Sequence, residues 1–459
     1  MPNIDNSVAG NLNRLATGKI GRLLWDYSVP TVVGLLVMSL YNVVDRIFIG
    51  RGVGAEAISG LAITFPVMNL TTALGVLVGA GATARVSIFL GRKDLDSASL
   101  VLGNALILLI INATIYISFF AIFIDPILRA FGASDVTLPY ARDFILWLLP
   151  GLLMTNLAFG FNNIMRASGY PMRAMATMIL GALINLALAP LFIFTFGLGI
   201  KGAAIASDIA MTCSMIFVMA HFMRRNVTLR FTRGIYRLRW HVVIGIISIG
   251  AAPALVNAAA CFINVIINKS LSQYGGDLSI GAAGIFSTYT SLIVMIIIGI
   301  CQGMQAIIGY NYGAGNLDRL KRTYWLAVGV TTAICAAGSV FGLCFPTLIA
   351  KAFTSDSYLI EVTSRCLSLS LIAFSVVGFQ VVSTTFFQSI GSVAKSIFLS
   401  LARQVIFLIP LLYLLPNSLG LDGVWLSFPG SDLLATIVTA VLIIFEFRRI
   451  DREARQRKD

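Results

Sequence analysis

Asp45 closes the apolar stretch VPTVVGLLVMSLYNVVD, an expensive place for a carboxylate. An ionisable side chain inside a membrane span costs roughly 2.5–3.5 kcal/mol on insertion scales and usually marks a functional site. Two chemistries are open to it. It could pair with the adjacent Arg46 near a helix end. It could instead face an internal cavity, where loss of water suits a carboxylate to proton exchange. Asp208 and Asp432 also lie within apolar runs. Asp208 is either a wetted residue at an outer helix end or a second carboxylate in the cavity of Asp45. Asp432 follows Pro429-Gly430 and either caps a broken helix or acts in function. Asn185, Asn257, Asn264, Asn268, Gln302 and Gln305 are uncharged polar groups in apolar surroundings. Singly such groups are mostly glue between helices. Their concentration over 257–305 predicts a polar-lined cavity in the second half, with Tyr41, Asn264, Asn268 and Gln302 expected to line the substrate site.

The elements that must hold these groups follow from composition. The 459 residues are 58% hydrophobic and 12% charged, with a mean hydropathy of +0.89. A soluble domain carries roughly 25% charged residues, so a soluble enzyme, a nucleic-acid-binding module and a disordered chain are excluded. Crossing a bilayer as a helix takes about 20 apolar residues. Twelve such runs are present: 23–49, 57–82, 99–124, 143–165, 173–196, 203–223, 241–270, 279–308, 324–350, 365–388, 394–416 and 424–446. The chain is therefore read as an all-α membrane protein.

The net charge of +13 is explained by topology. With the N-terminus placed inside, 25 of the 33 Lys and Arg residues, among them Arg166, Arg319, Lys395 and Arg403, fall on the inner side. That is the bias the positive-inside rule demands, with both termini cytoplasmic. No basic face with base-reading groups is visible, so no nucleic-acid partner is expected. The first twenty residues lack a signal-peptide apolar core. The six cysteines, Cys213, Cys261, Cys301, Cys335, Cys344 and Cys366, lack metal-ligand spacing. His221 and His241 flank the inner basic loop and read as membrane-surface residues.

A shift of 221–223 residues aligns the two halves. Pro30 then falls on Pro253, Asp45 on Asn268, GRKDLD (91–96) on GAGNLD (313–318), and GIKGAAIA (199–206) on GLDGVWLS (420–427). GxxxG recurs at Gly75/Gly79 and Gly299/Gly303, spacing that lets helix backbones approach closely. Six spans per half make the repeats parallel, the plan of transporters that bind substrate between their halves. The expected domains are an N-lobe (1–225), a basic cytoplasmic linker (226–240), a C-lobe (241–447) and a basic tail (448–459). Pro30 and Pro253 remove a backbone hydrogen bond from the first span of each half and provide a kink or hinge. GxxxxGK[ST], GxSxG and HExxH are absent. No enzyme activity and no cofactor are expected, and transport would be driven by an ion gradient or a partner.

PTVVGLLVMSLYNVVDRIFIG (30–50), NNIMRASGYPMRAM (162–175), INLALAPLFIFTFGLGIKGAAIAS (184–207) and QGMQAIIGYNYGAGN (302–316) resemble the multidrug and toxic compound extrusion (MATE) family. LSLARQVIFLIPLLYLLPNSLGLDGVW (399–425) is most similar to its MepA-like branch. The resemblance implies twelve helices in an N-lobe and a C-lobe around a central cavity. It also implies export of organic cations and amphipathic drugs in exchange for protons or sodium ions. By that resemblance Asp45 matches the coupling carboxylate of span one and Pro30 the proline linked to its bending. Asn185 matches a span-five asparagine, and Ser207 replaces a span-six threonine. One departure concerns the family pattern N-x-x-x-D-P, which here ends in Ala189-Pro190. Asp208 is the residue expected to supply the missing charge. No C-lobe acidic pair is evident.

The leading expectation is a cation-coupled exporter in a bacterial cytoplasmic membrane, monomeric by default. A flippase for lipid-linked sugars is the alternative, though the spans hold few basic residues for a pyrophosphate. A receptor or channel is a third possibility, and the duplication argues against it.

Overall fold

The computed structural model describes residues 6–53 and 60–456. The expected start of span two (57–59) and the end of the tail (457–459) lie outside them, as does the side chain of Cys261. A short helix, Asn6–Thr17, leads into a succession of long ones. Spans one to six are Ile20–Gly52, Phe65–Gly91, Leu95–Ala130, Leu138–Ala167, Pro171–Thr195 and Gly199–Met223. Spans seven to nine are Trp240–Gly276, Leu278–Gly313 and Leu317–Cys344. Span ten is broken into Ser357–Ser370 and Phe374–Ser389, bent by 56°. Spans eleven and twelve are Val393–Leu419 and Leu421–Arg452. Among the described residues there are thus eleven continuous spans and one broken one, and the protein is a multi-pass membrane protein.

Three expected spans differ. Span two is Phe65–Gly91 where 57–82 was expected. Span nine stops at Cys344, because Phe345 leaves helical geometry and Pro346 starts a separate helix, Pro346–Phe353. A proline lacks the N–H that would continue the preceding helix. The break in span ten was not expected, since its apolar run is unbroken in sequence. Spans seven and eight join at Gly276, whose φ of 68° suits a residue without a Cβ.

The outer surface inverts the rule of soluble proteins. Phe262, Ile122 and Val265 are 73%, 71% and 67% exposed. Only lipid covers such a belt without penalty. Buried hydroxyls are satisfied within their own helix, as where Thr83 donates to Gly79 O (2.7 Å) and Ser87 to Thr83 O (2.9 Å).

Span three starts on a side-chain cap. Asp94 accepts from Ser97 N at 2.9 Å. The hydrogen bonds from Ser97 hold its carboxyl below the usual aspartate value. A lowered native value means the cap's contribution is complete above the unfolded pKa and lost as pH falls through the native one. Asp94→Ala is expected to cost about 1 kcal/mol at pH 7. The difference from wild type in thermal unfolding is expected to shrink once the pH is below both values.

Glycines set how the lobes meet. A Cβ on Gly81 would strike Ile246 O of span seven, and one on Gly250 would strike Leu77 O of span two. Gly91 and Gly313 lie as close to the backbones of Tyr310 and Ile88, joining spans two and eight. Both GxxxG pairs pack helices, in different settings. Gly75 and Gly79 face Asn156 and Gly160 inside the N-lobe. Gly299 and Gly303 face Val32 and Ser28 across the lobes. These inter-lobe contacts lie in the half of the molecule that carries the linker, here called the linker end. Asn104 of span three ties the linker down, donating to Arg237 O (3.2 Å) and accepting from Arg239 N (3.0 Å).

Candidate functional site

Span one carries Tyr41 and Asp45 one turn apart, hence on one face. Tyr41 lies within electrostatic reach of Asp45. It also lines a small, partly open cavity of ≈ 50 Å³ in the N-lobe, with Met38, Phe159, Asn162, Met178 and Met211. The lining comes from spans one, four, five and six. Methionines fill irregular gaps and adapt to varied apolar partners. Asp45 Oδ1 is shut away from solvent and has no hydrogen-bond partner among the described residues. Of the two readings open to Asp45, the ion pair with Arg46 does not form among the described residues. Arg46 instead sits over the ring of Phe65, 4.6 Å from its centre.

Asn185 and Ser207 are brought together, with Asn185 Nδ2 donating to Ser207 Oγ at 3.0 Å. Asp208 points elsewhere. Adjacent helical residues point about 100° apart, and Asp208 Oδ1 packs on Gly151 of span four, where a Cβ would collide with it. Its carboxylate has no side-chain hydrogen-bond partner among the described residues, and the Gly151 backbone is its neighbour on span four. Ala189 is fully buried in an apolar cluster that includes Ile49, Leu148, Ile193 and Ala203. The position where a second carboxylate was expected is therefore filled with packed hydrocarbon. Pro30 is buried within span one, whose helix continues through it.

Asn264 and Asn268 are exposed on span seven. Gln302 has a specific partner instead of an open cavity wall. Its Oε1 accepts from Arg166 Nη1 at 2.6 Å, across the lobes. Arg166 also donates to Asn163 Oδ1 and Asn162 Oδ1, both at 3.0 Å. It is 3% exposed, and its hydrogen-bond acceptors are all amides. Its place among the inner-side basic residues thus comes with a buried, amide-lined setting. Asn162 belongs both to this cluster and to the cavity wall. His221 is likewise no surface residue: it is 4% exposed, between Tyr170 and Phe222, with Nδ1 3.2 Å from Arg173 Nη1.

The C-lobe holds a pair that sequence reasoning missed. Arg403 Nε donates to Asp432 Oδ1 at 2.6 Å. Asp432 is 3% exposed and pairs with Arg403, so of its two readings the helix cap is set aside, and Arg403 lies within span eleven and not in an inner loop. Span twelve runs unbroken past Pro429. Arg403 lies on a π-helical turn, Ala402–Leu408, in span eleven. Such turns insert a residue into a helix and are frequent at functional sites. Gln380 of span ten donates to Asp432 O and to Thr436 Oγ1, the latter at 2.6 Å. The signal that flagged Asp45 was present for Arg403, a charge well inside an apolar run.

A duplicated helical membrane protein with an ionisable group and an adaptable cavity in its first lobe is the class that fold and site define. The family model MatE matches residues 30–191 and again 253–414, one match per half. The chain belongs to the MatE family. It is 26% identical to the multidrug export protein MepA of Staphylococcus aureus (strain NCTC 8325 / PS 47), over 93% of this chain and 94% of the relative. It is 25% identical to the FAD transporter of Shewanella oneidensis, over 92% and 94%. A MATE protein solved in a bent conformation matches at a TM-score of 0.91 and 24% identity, over 97% of this chain and 99% of that one. That likeness bears on the fold.

Proposed function

We propose that the chain is a secondary transporter that exports organic cations or amphipathic drugs by antiport with protons or sodium ions. One observation carries the reading: the unpartnered, buried carboxylate oxygen of Asp45, a turn from the cavity-lining Tyr41. A carboxylate oxygen shut from water and left without a hydrogen-bond donor is suited to take up a small cation. Asn185 and Ser207 are the neutral groups assigned to the same coupling region, with Asp208 on the span-four side as the lobe's other carboxylate. Pro30 is the bending point. Tyr41 opens on the apolar, methionine-rich wall assigned to an amphipathic drug, and Asn264 and Asn268, exposed on span seven, are assigned to the C-lobe side of the substrate path. The linker end is assigned to the cytoplasm of a bacterium by its basic residues. The lobes touch at that end, so the state described is closed toward the cytoplasm.

A second reading has an observation of its own. Arg166 is a buried cation without a carboxylate partner, and its neighbour Asn162 lines the cavity. That arrangement suits a substrate with an anionic group. A relative of equal coverage is named for FAD. The flippase alternative gains nothing from the relatives.

Purified protein in proteoliposomes, under separately imposed pH and sodium gradients, tests the proposal. Accumulation of a fluorescent organic cation under one gradient and not the other is expected. Transport of neither an organic cation nor a flavin nucleotide under either gradient would overturn it.

A further inference from the structure

Span two presents Arg85, Phe89 and Arg92 along one face at the linker end, spaced i, i+4 and i+7. The two guanidinium carbons lie 5.2 Å and 6.0 Å from the centre of the same Phe89 ring. Two cations thus share one aromatic ring and lie within electrostatic reach of each other. Neither forms an ion pair with a carboxylate among the described residues. Asp94 is within electrostatic reach of Arg92, and its Oδ1 is engaged by Ser97 N. Arg85 Nε is shut from solvent and has no hydrogen-bond partner. Like charges brought together around an unfilled donor are the arrangement an anion relieves.

The site is completed across the lobe boundary. A Cβ on Gly245 of span seven would collide with the Arg85 guanidinium, so that glycine makes the space in which the group lies. The depth is set by Trp240, 75% exposed at the start of span seven. Tryptophan marks the interfacial layer, and Gly245 lies about 7.5 Å deeper along the helix. Arg85 reaches from that depth back toward the end of span two, over Phe89, as a snorkelling arginine does. Ile244 and Ile247 are exposed beside Gly245 and offer hydrocarbon just below the charges.

We propose that Arg85 and Arg92 bind the phosphate of an anionic phospholipid at the seam of spans two and seven. The phosphodiester would lie between the guanidinium groups, and an acyl chain along Ile244 and Ile247. A free phosphate shares the first contact and lacks the second. Arg85 meets Gly245 only while spans two and seven are together, so the lipid would favour the state closed at the linker end. This site is independent of the transported substrate and of the coupling ion.

The test is lipid titration of the purified protein in mild detergent. The thermal unfolding midpoint and lipid retention in native mass spectrometry are read out. Dioleoyl phosphatidylglycerol is expected to raise the midpoint, and dioleoyl phosphatidylcholine to do so much less. Arg85→Gln and Arg92→Gln are each expected to weaken phosphatidylglycerol binding about fivefold, the worth of one basic residue near an anionic surface. Gly245→Leu keeps both charges, displaces Arg85, and is expected to weaken binding similarly. Arg233→Gln, an equal charge change on the exposed linker, is expected to leave binding intact. Equal loss in Arg233→Gln, full binding in Gly245→Leu, or displacement of the lipid by millimolar inorganic phosphate would each overturn the proposal.

Discussion

Asp45→Asn is expected to reduce gradient-driven accumulation of a fluorescent organic cation to the level of empty vesicles. The substitution keeps the size of the side chain and removes the charge that a coupling cation would neutralise. Asn can neither release a proton nor offer a full negative charge to sodium. The position tolerates the change, because the Oδ1 atom makes no hydrogen bond that the amide would lose. Folding is therefore expected to survive, and size-exclusion behaviour and the unfolding midpoint check that. Energy-independent counterflow should persist if the cavity wall still accepts the substrate. That split separates loss of coupling from loss of binding. Wild-type accumulation by the Asn protein would remove Asp45 from the coupling site. Nothing at position 189 can stand in for it, since Ala189 is packed among Ile49, Leu148 and Ile193.

Breaking the Arg403–Asp432 pair is expected to give the largest loss of stability. Removing one partner of a buried ion pair costs about 3–5 kcal/mol, because it strands the other charge in a medium that cannot solvate it. Arg403→Ala leaves Asp432 at 3% exposure with no replacement cation. Asp432→Asn leaves a guanidinium that is 32% exposed facing a neutral amide, so its loss is expected to be the smaller of the two. Arg403→Ala should unfold at a markedly lower temperature in detergent. The double replacement Arg403→Met with Asp432→Leu should recover most of the loss, since apolar substitutes for a buried pair are often neutral. A double variant as unstable as the singles would mean that the pair also fixes the register of spans eleven and twelve. If Arg403→Ala stays within about 0.5 kcal/mol of wild type, as ordinary surface changes do, water reaches the pair.

How far the sequence reached differs by kind of feature. Span one and the duplication follow from hydropathy and from residues repeating at a fixed offset, which need no partner to be recognised. Asp45 was legible for the same reason, because a carboxylate in an apolar run is costly wherever the helix packs. Asp208 was legible as a charge and not as a direction. Whether it joins Ser207 on the span-five side or meets Gly151 on span four depends on the rotation of span six. The use of Gln302 by Arg166 depends on which helices the two lobes press together, and 136 residues separate the pair. The break in span ten leaves no hydropathy signal, because both halves are apolar.

The sequence by itself determined the solvent of this protein, the number of its crossings and its descent from a doubled half. Each is a property of a segment measured against lipid or against its own repeat. Only the tertiary structure decided which buried charges are paired, which stand alone and which position is closed by hydrocarbon. Those outcomes depend on helix rotation and on glycine-set approach between lobes. Both are fixed by contacts between residues far apart in the chain, and a one-dimensional pattern does not carry them.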